Sequence, residues 1–431
     1  MVVEAVLLLD GDIGAEQVRD LFDTRLLTRF PSLAGRPGPA RGLLGSISGL
    51  AAWRPGAAPD LETLISEVRL PGPLTQQAVQ DQASALVSAT LDPWTTPWRV
   101  DVLRDGAGAS TALLIRLHHS IGDGVALVTV LNALLDEPAA APDPLAGPPE
   151  VSVTLPPGGR HRLRSRLLTA AAVAGVVPAF LGILAHAARR RLPLRDSADG
   201  TQVAWSRPHD LDELKATAAA CGASLNDVLL AAVAGGLRQY LLARGLVPDD
   251  ARVIVPVDLR PPGVPVDDRL GNHIGVLFVD LPVSADLAVA RVAAVRERTR
   301  RLKRSLQPAS TSALLRIVGV LPRPVQLAAA ALLGRAADAV VSNVPGPTQE
   351  RHLAGRRLRS VVFWVPRVGP MTLGVSVFSY AGTVSVGVVS TRAGGGQPPG
   401  SRAAELLAAV DAELVELSRV TAREVPDAVS D

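Results

Sequence analysis

Residues 113–124 read Leu-Leu-Ile-Arg-Leu-His-His-Ser-Ile-Gly-Asp-Gly. The first five have the apolar character of a buried strand, and the residues from Gly122 to Leu135 return to helical spacing. The pair His118 and His119 therefore lies where a strand ends and a helix is about to begin. Because loops on a rigid scaffold often carry functional side chains, we predict that this stretch forms the functional centre.

The residue types in this stretch suit proton transfer. A neutral imidazole has a pKa of about 6.5, close to working pH, so it can take up and return a proton. Side chains alternate along a strand, and we expect only one of His118 and His119 to point into a given cleft. Asp123 would orient a histidine or be held by an arginine, and Gly124 would supply a backbone geometry that other residues resist.

Two other interpretations of the motif are open. The histidines could be structural residues beside a helix N-cap, as is common for a single histidine. A His-His-Asp set could also bind zinc. The sequence offers no third histidine at suitable spacing, so we predict that the site holds no metal.

Outside the motif, strand and helix patterns alternate along the chain, which predicts an α/β architecture. Strands are predicted at 2–9, 99–103, 112–117, 253–257, 274–281, 339–344, 360–365, 372–380 and 383–390. Helices are predicted at 15–27, 122–135, 211–220, 225–244, 285–302, 312–337 and 401–417, and Pro322 and Pro324 are expected to interrupt the stretch 312–337. Ser224 is expected to cap its helix, with Asp227 in the first turn.

The chain of 431 residues is long for one core, which favours two globular units. A stretch rich in Pro, Ala and Gly at 136–159 indicates a linker. We therefore predict an N-terminal domain of residues 1–140, a crossover with an apolar helix at 141–200, and a C-terminal domain of 201–431.

Composition narrows the class of protein. Apolar residues make up 48% and charged residues 20%, as in a folded protein, and the net charge of +3 gives no case for nucleic-acid binding. Cys221 is the only cysteine, which excludes an internal disulfide and fits a cytoplasmic protein.

An apolar segment at 167–187 contains no Asp, Glu, Lys or Arg, and arginines flank it at 162, 164, 166 and 189–191. It could span a bilayer, lie on a membrane surface or form a core helix. Arginines beside an apolar helix suit anionic lipid headgroups. We therefore favour peripheral association with the inner face of the plasma membrane or with lipid droplets.

Residues 118–124 have the form HHxxxDG, which resembles the signature of the CoA-dependent acyltransferase superfamily. Further segments, in order along the chain, are similar to elements of the bacterial wax ester synthase/diacylglycerol acyltransferase family. They are Pro97-Trp98-Arg99 (PLWR without its Leu), 224–228 (the ND element), 256–260 with 270–272 (central strand and LGN), 341–347 (SNVPGP) and 374–380 (late strand).

This resemblance implies a two-domain fold like that of chloramphenicol acetyltransferase, with a central tunnel. It implies transfer of a fatty acyl group from acyl-CoA to diacylglycerol or a long-chain alcohol, giving triacylglycerol or wax ester. Acyl-CoA would be a substrate, no cofactor would be needed, and the oligomeric state stays open.

The resemblance also implies roles for individual residues. His119 would be the catalytic base, Arg260 would hold Asp123 as a structural partner, and the catalytic motif would also include His118 and Gly124. The residues expected to contact substrate are Asn226, Asn272, Ser342 and Asn343. Helix capping and turn formation are alternative roles for these last side chains.

Two other functions fit the same motif. One is a condensation-type or small-molecule acyltransferase that uses a CoA or carrier-protein thioester, although no carrier or adenylation domain accompanies the motif. The other is a catalytically weak paralogue that binds acyl lipids, which the intact motif residues argue against.

Overall fold

The structure is a computed structural model that describes residues 1–39, 51–54, 56, 59–89, 91–92, 94–106, 108–137, 175–188, 200–261, 264–392 and 401–424. The predicted crossover, 141–200, lies outside the described residues apart from 175–188 and 200. The arginines at 162, 164, 166 and 189–191 also lie outside the described residues.

The described strands and helices alternate along the chain. The strands are β1 Val2–Asp10, β2 Arg36–Pro39, β3 Ala51–Arg54, β4 Ile65–Arg69, β5 Trp98–Arg104, β6 Ser110–His118, β7 Thr201–Trp205, β8 His209–Asp210, β9 Ala251–Asp258, β10 Ile274–Leu281, β11 Ala339–Pro345, β12 His352–Leu353, β13 Arg356–Trp364, β14 Leu373–Tyr380 and β15 Thr383–Thr391. The helices are α1 Ala15–Leu21, continued by a π-helical turn at Phe22–Leu27, α2 Pro31–Ala34, α3 Leu61–Leu64, α4 Gln76–Val87, α5 Gly124–Leu134, α6 Val176–Ala187, α7 Leu211–Ala220, α8 Leu225–Leu242, α9 Ala288–Lys303, α10 Gln307–Gly319, α11 Arg323–Arg335 and α12 Arg402–Glu424.

The first large sheet has the strand order β12-β13-β1-β6-β5-β4. Its pairs are antiparallel except β4 with β5, which is parallel. The central strand β1 is apolar almost throughout because both of its faces are covered: Leu7 and Leu9 belong to one core, and Val6 and Leu8 belong to another.

The second large sheet has the order β10-β9-β11-β14-β15-β7, with β8 also paired to β15. Its centre is parallel, since β11 runs parallel to both β9 and β14. Helix α8 is buried along nearly its whole length against this sheet and α12. Gly236 allows the close approach of α12, because a Cβ there would lie 2.5 Å from Val410 Cγ2.

The two sheets do not follow two consecutive halves of the chain. The hairpin β12–β13, at 352–364, belongs to the first sheet although it comes late in the sequence. Rings from the two sheets meet at their junction, where Phe363 contacts Phe378 and Trp205 contacts Trp364. The sheet arrangement therefore differs from a division into consecutive domains at this hairpin.

Strand β10 forms one edge of the second sheet, and α10 covers that edge with side chains. Gln307 Oε1 accepts from the Phe278 N–H at 3.1 Å, and Thr311 Oγ1 accepts from the Val276 N–H at 2.9 Å. A Cβ at Gly275 would lie 2.4 Å from Pro308 O, so only glycine permits this contact. The amides of this edge are therefore satisfied by a helix rather than by another strand.

The strands and helices predicted from the sequence are confirmed, with shifted ends. Ser224 caps α8 in a capping box with Asp227, as expected. The predicted interruption of the stretch 312–337 is confirmed: it forms two helices separated near Pro322, because proline cannot continue the helical hydrogen bonds. Six short strands and three helices had no prediction: β2, β3, β4, β7, β8 and β12, and α2, α3 and α4.

Candidate active site

The histidine motif lies in a tight connection between β6 and α5. Strand β6 ends at His118, whose N–H donates to Pro97 O at 2.8 Å, while the His119 N–H donates to Met1 O at 2.9 Å. Asp123 caps α5 by accepting from the Ala126 N–H at 3.0 Å. The backbone on both sides of His119 is therefore fixed.

Asp123 is buried and its carboxylate is fully engaged. Arg260 forms a bidentate ion pair with it, at 3.1 Å to Oδ1 and 2.8 Å to Oδ2. The His273 N–H donates to Oδ2 at 2.7 Å. Of the two arrangements considered for Asp123, the structure therefore has the one in which an arginine holds the carboxylate.

Gly124 has a packing reason, not the conformational one expected from the sequence. Its φ is not in the left-handed region. A Cβ at this position would lie 2.9 Å from Val344 Cγ2 on β11. Glycine is therefore needed because a strand of the second sheet touches the start of α5.

The segment Leu270–His273 joins the second sheet to the histidine loop. Leu270 and Gly271 have φ values of 57° and 107°. The Gly271 N–H donates to Ile121 O at 3.0 Å, and Asn272 Nδ2 donates to His119 O at 2.8 Å. The left-handed turn is held in place because the Leu270 side chain is buried in the core of the first sheet.

Burial governs the protonation of both histidines. Burial lowers the pKa of His119 from 6.5, because a buried ring is harder to charge. Three weaker effects raise the pKa: a backbone hydrogen bond at His119, the negative charge of Asp123 and a hydrogen bond with Asn272. Burial also lowers the pKa of His118 to about 4, together with the nearby amino terminus and His119. His119 is therefore neutral at pH 7 and able to accept a proton.

Both histidines line the same cavity, so the expectation that alternation would point only one of them into a cleft is wrong. The reason is that β6 ends at His118, and the rule of alternation does not extend to His119. The two rings differ in their partners, since His118 Nδ1 lies 2.7 Å from Ser120 Oγ.

The histidines open into a cavity of about 510 Å³ with apolar walls. One part, the closed arm, lies within the core of the first sheet and is lined by Leu7, Phe22, Leu26, Trp98, Leu131 and Leu134. The other part, the open arm, lies beside α10 and α11 and is lined by Ile254, Val276, Ser312, Leu315, Leu333 and Val340. His119, Asp123 and Gly124 line the same cavity, and we place the junction between the two arms at these residues.

Only two of the four residues expected to contact substrate line the cavity in the structure. Asn272 and Ser342 line the cavity. Asn343, the next residue on β11, is not among the described residues that line the cavity. Asn226 is buried at the start of α8 and is not among them either. Asp227 serves the capping box and accepts from Thr299 Oγ1 at 2.6 Å.

Several residues of the wall had no predicted role. Trp98 belongs to the Pro-Trp-Arg motif, and that motif could have identified it as a residue of the cavity wall. Its indole N–H donates to Leu33 O at 2.8 Å. Ser312, Leu315 and Arg316 lie on one face of α10 and line the open arm. Their helix has no sequence motif that would have identified them.

In the part of the chain that the structure describes, no group of three or more His, Cys, Asp and Glu side chains could hold a metal ion. The Asp123 oxygens, which the zinc interpretation would need, are taken by Arg260, His273 and Ala126. The chemistry of the described site is therefore that of an imidazole in an apolar cavity.

Helices α6, α10 and α11 pack together beside the open arm and expose apolar side chains. We call this set the apolar surface: Val177, Phe180, Leu181, Leu184, Leu315, Ile317, Val320, Val325 and Leu327. On α6 only Ile183 is buried, so this helix is not a core helix. No single helix among the described residues is long and apolar enough to cross a membrane; α7 and α8 meet those criteria only as a pair bent by 91°.

Two family models match the chain. Residues 43–229 match the wax ester synthase/diacylglycerol acyltransferase catalytic domain, and residues 270–398 match the WS/DGAT C-terminal domain. A probable diacylglycerol O-acyltransferase of Mycobacterium tuberculosis H37Rv is 28% identical over 347 residues, covering 77% of this chain and 74% of the relative. A putative diacylglycerol O-acyltransferase of the same strain is 27% identical over 410 residues, covering 90% of each chain.

Solved structures share the fold. The wax ester synthase/diacylglycerol acyltransferase of Marinobacter aquaeolei VT8 superposes with a TM-score of 0.65 at 19% identity, covering 98% of this chain and 95% of that one. The first condensation domain of the CDA synthetase gives 0.58 at 16% identity, covering 98% and 91%. Both likenesses bear on the fold alone, which is the predicted two-domain α/β arrangement.

Proposed function

The chain belongs to the wax ester synthase/diacylglycerol acyltransferase family and is an acyltransferase, and we propose that it uses His119 as the general base for acyl transfer to a lipid hydroxyl. Its donor is acyl-CoA and its acceptor is diacylglycerol or a long-chain alcohol. The observation that carries the proposal is a neutral imidazole placed where two apolar arms of one cavity meet.

The reaction follows from the position of this imidazole. A ring nitrogen of His119 takes the proton from the acceptor hydroxyl as the hydroxyl oxygen attacks the thioester carbonyl. The C–S bond then breaks, an ester forms, and the CoA sulfur leaves with the proton that His119 returns. No acyl-enzyme is required.

The surrounding residues position this base. The His119 backbone N–H donates to Met1 O and the His119 carbonyl accepts from Asn272 Nδ2, so the backbone that carries the ring is held on both sides. Asp123 with Arg260 holds the start of α5. Ser342 is our candidate for a hydrogen-bond donor to the oxygen that becomes negative in the transition state, because its side chain faces the cavity.

We also propose that the acceptor enters through the open arm from a lipid surface. A diacylglycerol or fatty alcohol resides in a bilayer or lipid droplet, and the apolar surface lies beside the open arm. Arg316, which is exposed on α10 and lines the cavity, suits anionic headgroups there. Reversible binding to a membrane or lipid droplet would bring the acceptor to the cavity.

Transfer to an amine or from a carrier protein is the alternative within this fold, since condensation domains share it. The two family matches favour a lipid hydroxyl instead. The test is to incubate the purified protein with palmitoyl-CoA and either dioleoylglycerol or hexadecanol, and to measure released CoA thiol together with triacylglycerol or wax ester. Release of thiol without either lipid product, or activity only with amines, would contradict the proposal.

A further inference from the structure

The closed arm runs along one face of α5. Gly124, Leu127, Leu131 and Leu134 line it at helical spacing. From Gly124 to Leu134 the helix rises about 15 Å, at 1.5 Å per residue. The first of these residues lies beside His119, and the last lies at the far end of the arm.

The stacked rings of Phe22 and Trp98, 5.4 Å apart between centroids, form part of the wall of the arm. The far end, at the buried Leu134, is closed by a bonded side chain. Arg25 donates to Leu134 O at 2.7 Å and pairs with Asp136 at 2.9 Å. The described residues therefore form a floor at this end.

A single extended chain fits such a blind arm, whereas a diacylglycerol, with two chains on one glycerol, needs a wider entrance. The open arm beside the apolar surface provides that entrance. The acyl chain of the donor is therefore the better occupant of the closed arm, with its thioester at His119.

We propose that α5 measures the donor chain, so that the closed arm accommodates about twelve carbons. Carbon bonds of about 1.5 Å at about 111° advance roughly 1.25 Å per methylene, and about 15 Å of helix matches twelve such steps. This inference rests on the proposed acyltransferase function and assigns its donor specificity to Gly124–Leu134.

The experiment measures kcat/KM for saturated acyl-CoA donors of 6 to 18 carbons with one fixed acceptor, below the concentration at which the donors form micelles. Each methylene that enters the arm should raise kcat/KM by about four-fold, the factor for burying one CH₂. The rise should stop near twelve carbons. An uninterrupted rise to 18 carbons, or a flat profile, would overturn the inference.

Matched substitutions assign the effect to one arm. Val130 lies six residues after Gly124, about 9 Å along the helix, so Val130→Phe should shorten the optimum to about seven carbons. Val340→Phe makes the same change in the open arm, and it should alter acceptor preference while keeping the donor optimum. If Val130→Phe instead altered acceptor preference and Val340→Phe shortened the donor optimum, the assignment of donor and acceptor to the two arms would be wrong.

A variant that lengthens the closed arm gives a result that misfolding cannot imitate. Leu134→Ala removes three carbons at the floor and should raise relative kcat/KM for donors of about fourteen carbons, a gain that misfolding cannot produce. No such gain, in a protein that turns over shorter donors, would contradict the inference. Absence of transfer with every donor would instead count against the proposed function.

Discussion

The imidazole of His119 is the group on which the proposed reaction depends. Replacing it by alanine removes the base but leaves both arms of the cavity, so His119→Ala should lower turnover by about 100-fold or more. Activity on palmitoyl-CoA and hexadecanol measures this, with thermal melting as the folding control. Near-normal turnover by a folded variant would remove His119 from the mechanism.

His118→Ala provides the comparison. We expect a smaller loss, although the reason is no longer alternation along the strand. The His118 ring is engaged by Ser120 and faces the amino terminus, so it is not the free acceptor in the site. A loss equal to that of His119→Ala would show that both rings take part in proton transfer.

The pH dependence of activity tests the state of the base. Burial lowers the pKa of His119 below its ordinary value of 6.5, so the base should stay neutral to a lower pH than a free imidazole would. Activity should fall only at lower pH, when the ring becomes protonated. A profile of kcat/KM with an apparent pKa at or above 6.5 would contradict this account.

Asp123 and Arg260 form a buried pair, and each should depend on the other. Removing Arg260 leaves the buried Asp123 carboxylate without a countercharge, which costs about 3 to 5 kcal/mol. Neutralising Asp123 costs less, because Arg260 keeps a second partner, Asp258, at 3.0 Å. Asp123→Asn should still lower both thermal stability and activity, and a cycle with Arg260→Met should show strong coupling. The same cycle at the exposed pair Arg29 and Asp268 should give about 1 kcal/mol or less. Additive effects at Asp123 and Arg260 would reject their coupling.

The pairing of Asp123 with Arg260 was foreseen because it came with the resemblance, and the cap of α8 because Ser224 and Asp227 have the spacing of a capping box. The reason for Gly124 could not be foreseen. It depends on Val344, more than 200 residues away, and no local pattern records that contact. The same holds for Asn272, whose bond to His119 O joins two distant segments.

At the scale of single elements, α6 gives the sharpest test of the apolar surface. Leu181 and Leu184 are exposed on it, three residues apart. Replacing both by Asp should release the protein from anionic liposomes, while transfer to a soluble short-chain alcohol is retained. Raised salt should weaken binding of the unchanged protein only in part, because apolar insertion resists screening.

The matched control for α6 places two aspartates at exposed leucines elsewhere, Leu242 and Leu287. That variant should still sediment with liposomes. Continued sedimentation of the Leu181→Asp and Leu184→Asp protein would reject the membrane proposal. Unfolding of that protein would show that α6 is needed for the core, and would also count against the proposal.

Elements with strong periodicity were predictable, and short ones were not. The strands of each core and the helices α7, α8 and α12 follow from apolar spacing alone. The pair β2–β3 contains Pro37, Pro39 and Gly38, which give no strand signal, and it forms only because the two segments face each other. The break between α10 and α11 was visible in Pro322 and Pro324.

At the scale of the whole molecule, the sequence predicted an α/β protein with two units, but not which strands share a sheet. Strand β13 pairs with β1 across more than 350 residues, and nothing in either strand specifies its neighbour. The cavity follows from that pairing, because β13 carries Val361 and Phe363 into its wall. The histidine motif can be recognised in a short stretch of sequence, whereas the cavity around it forms only when distant strands pair.

The covered edge of β10 determines which wall of the entrance is fixed. Gln307 and Thr311 tie α10 to the main chain of the sheet, and lifting this helix would leave two amide donors without partners, at about 1 to 3 kcal/mol each. The wall that α10 gives to the open arm should therefore keep its shape while lipid substrates enter and products leave.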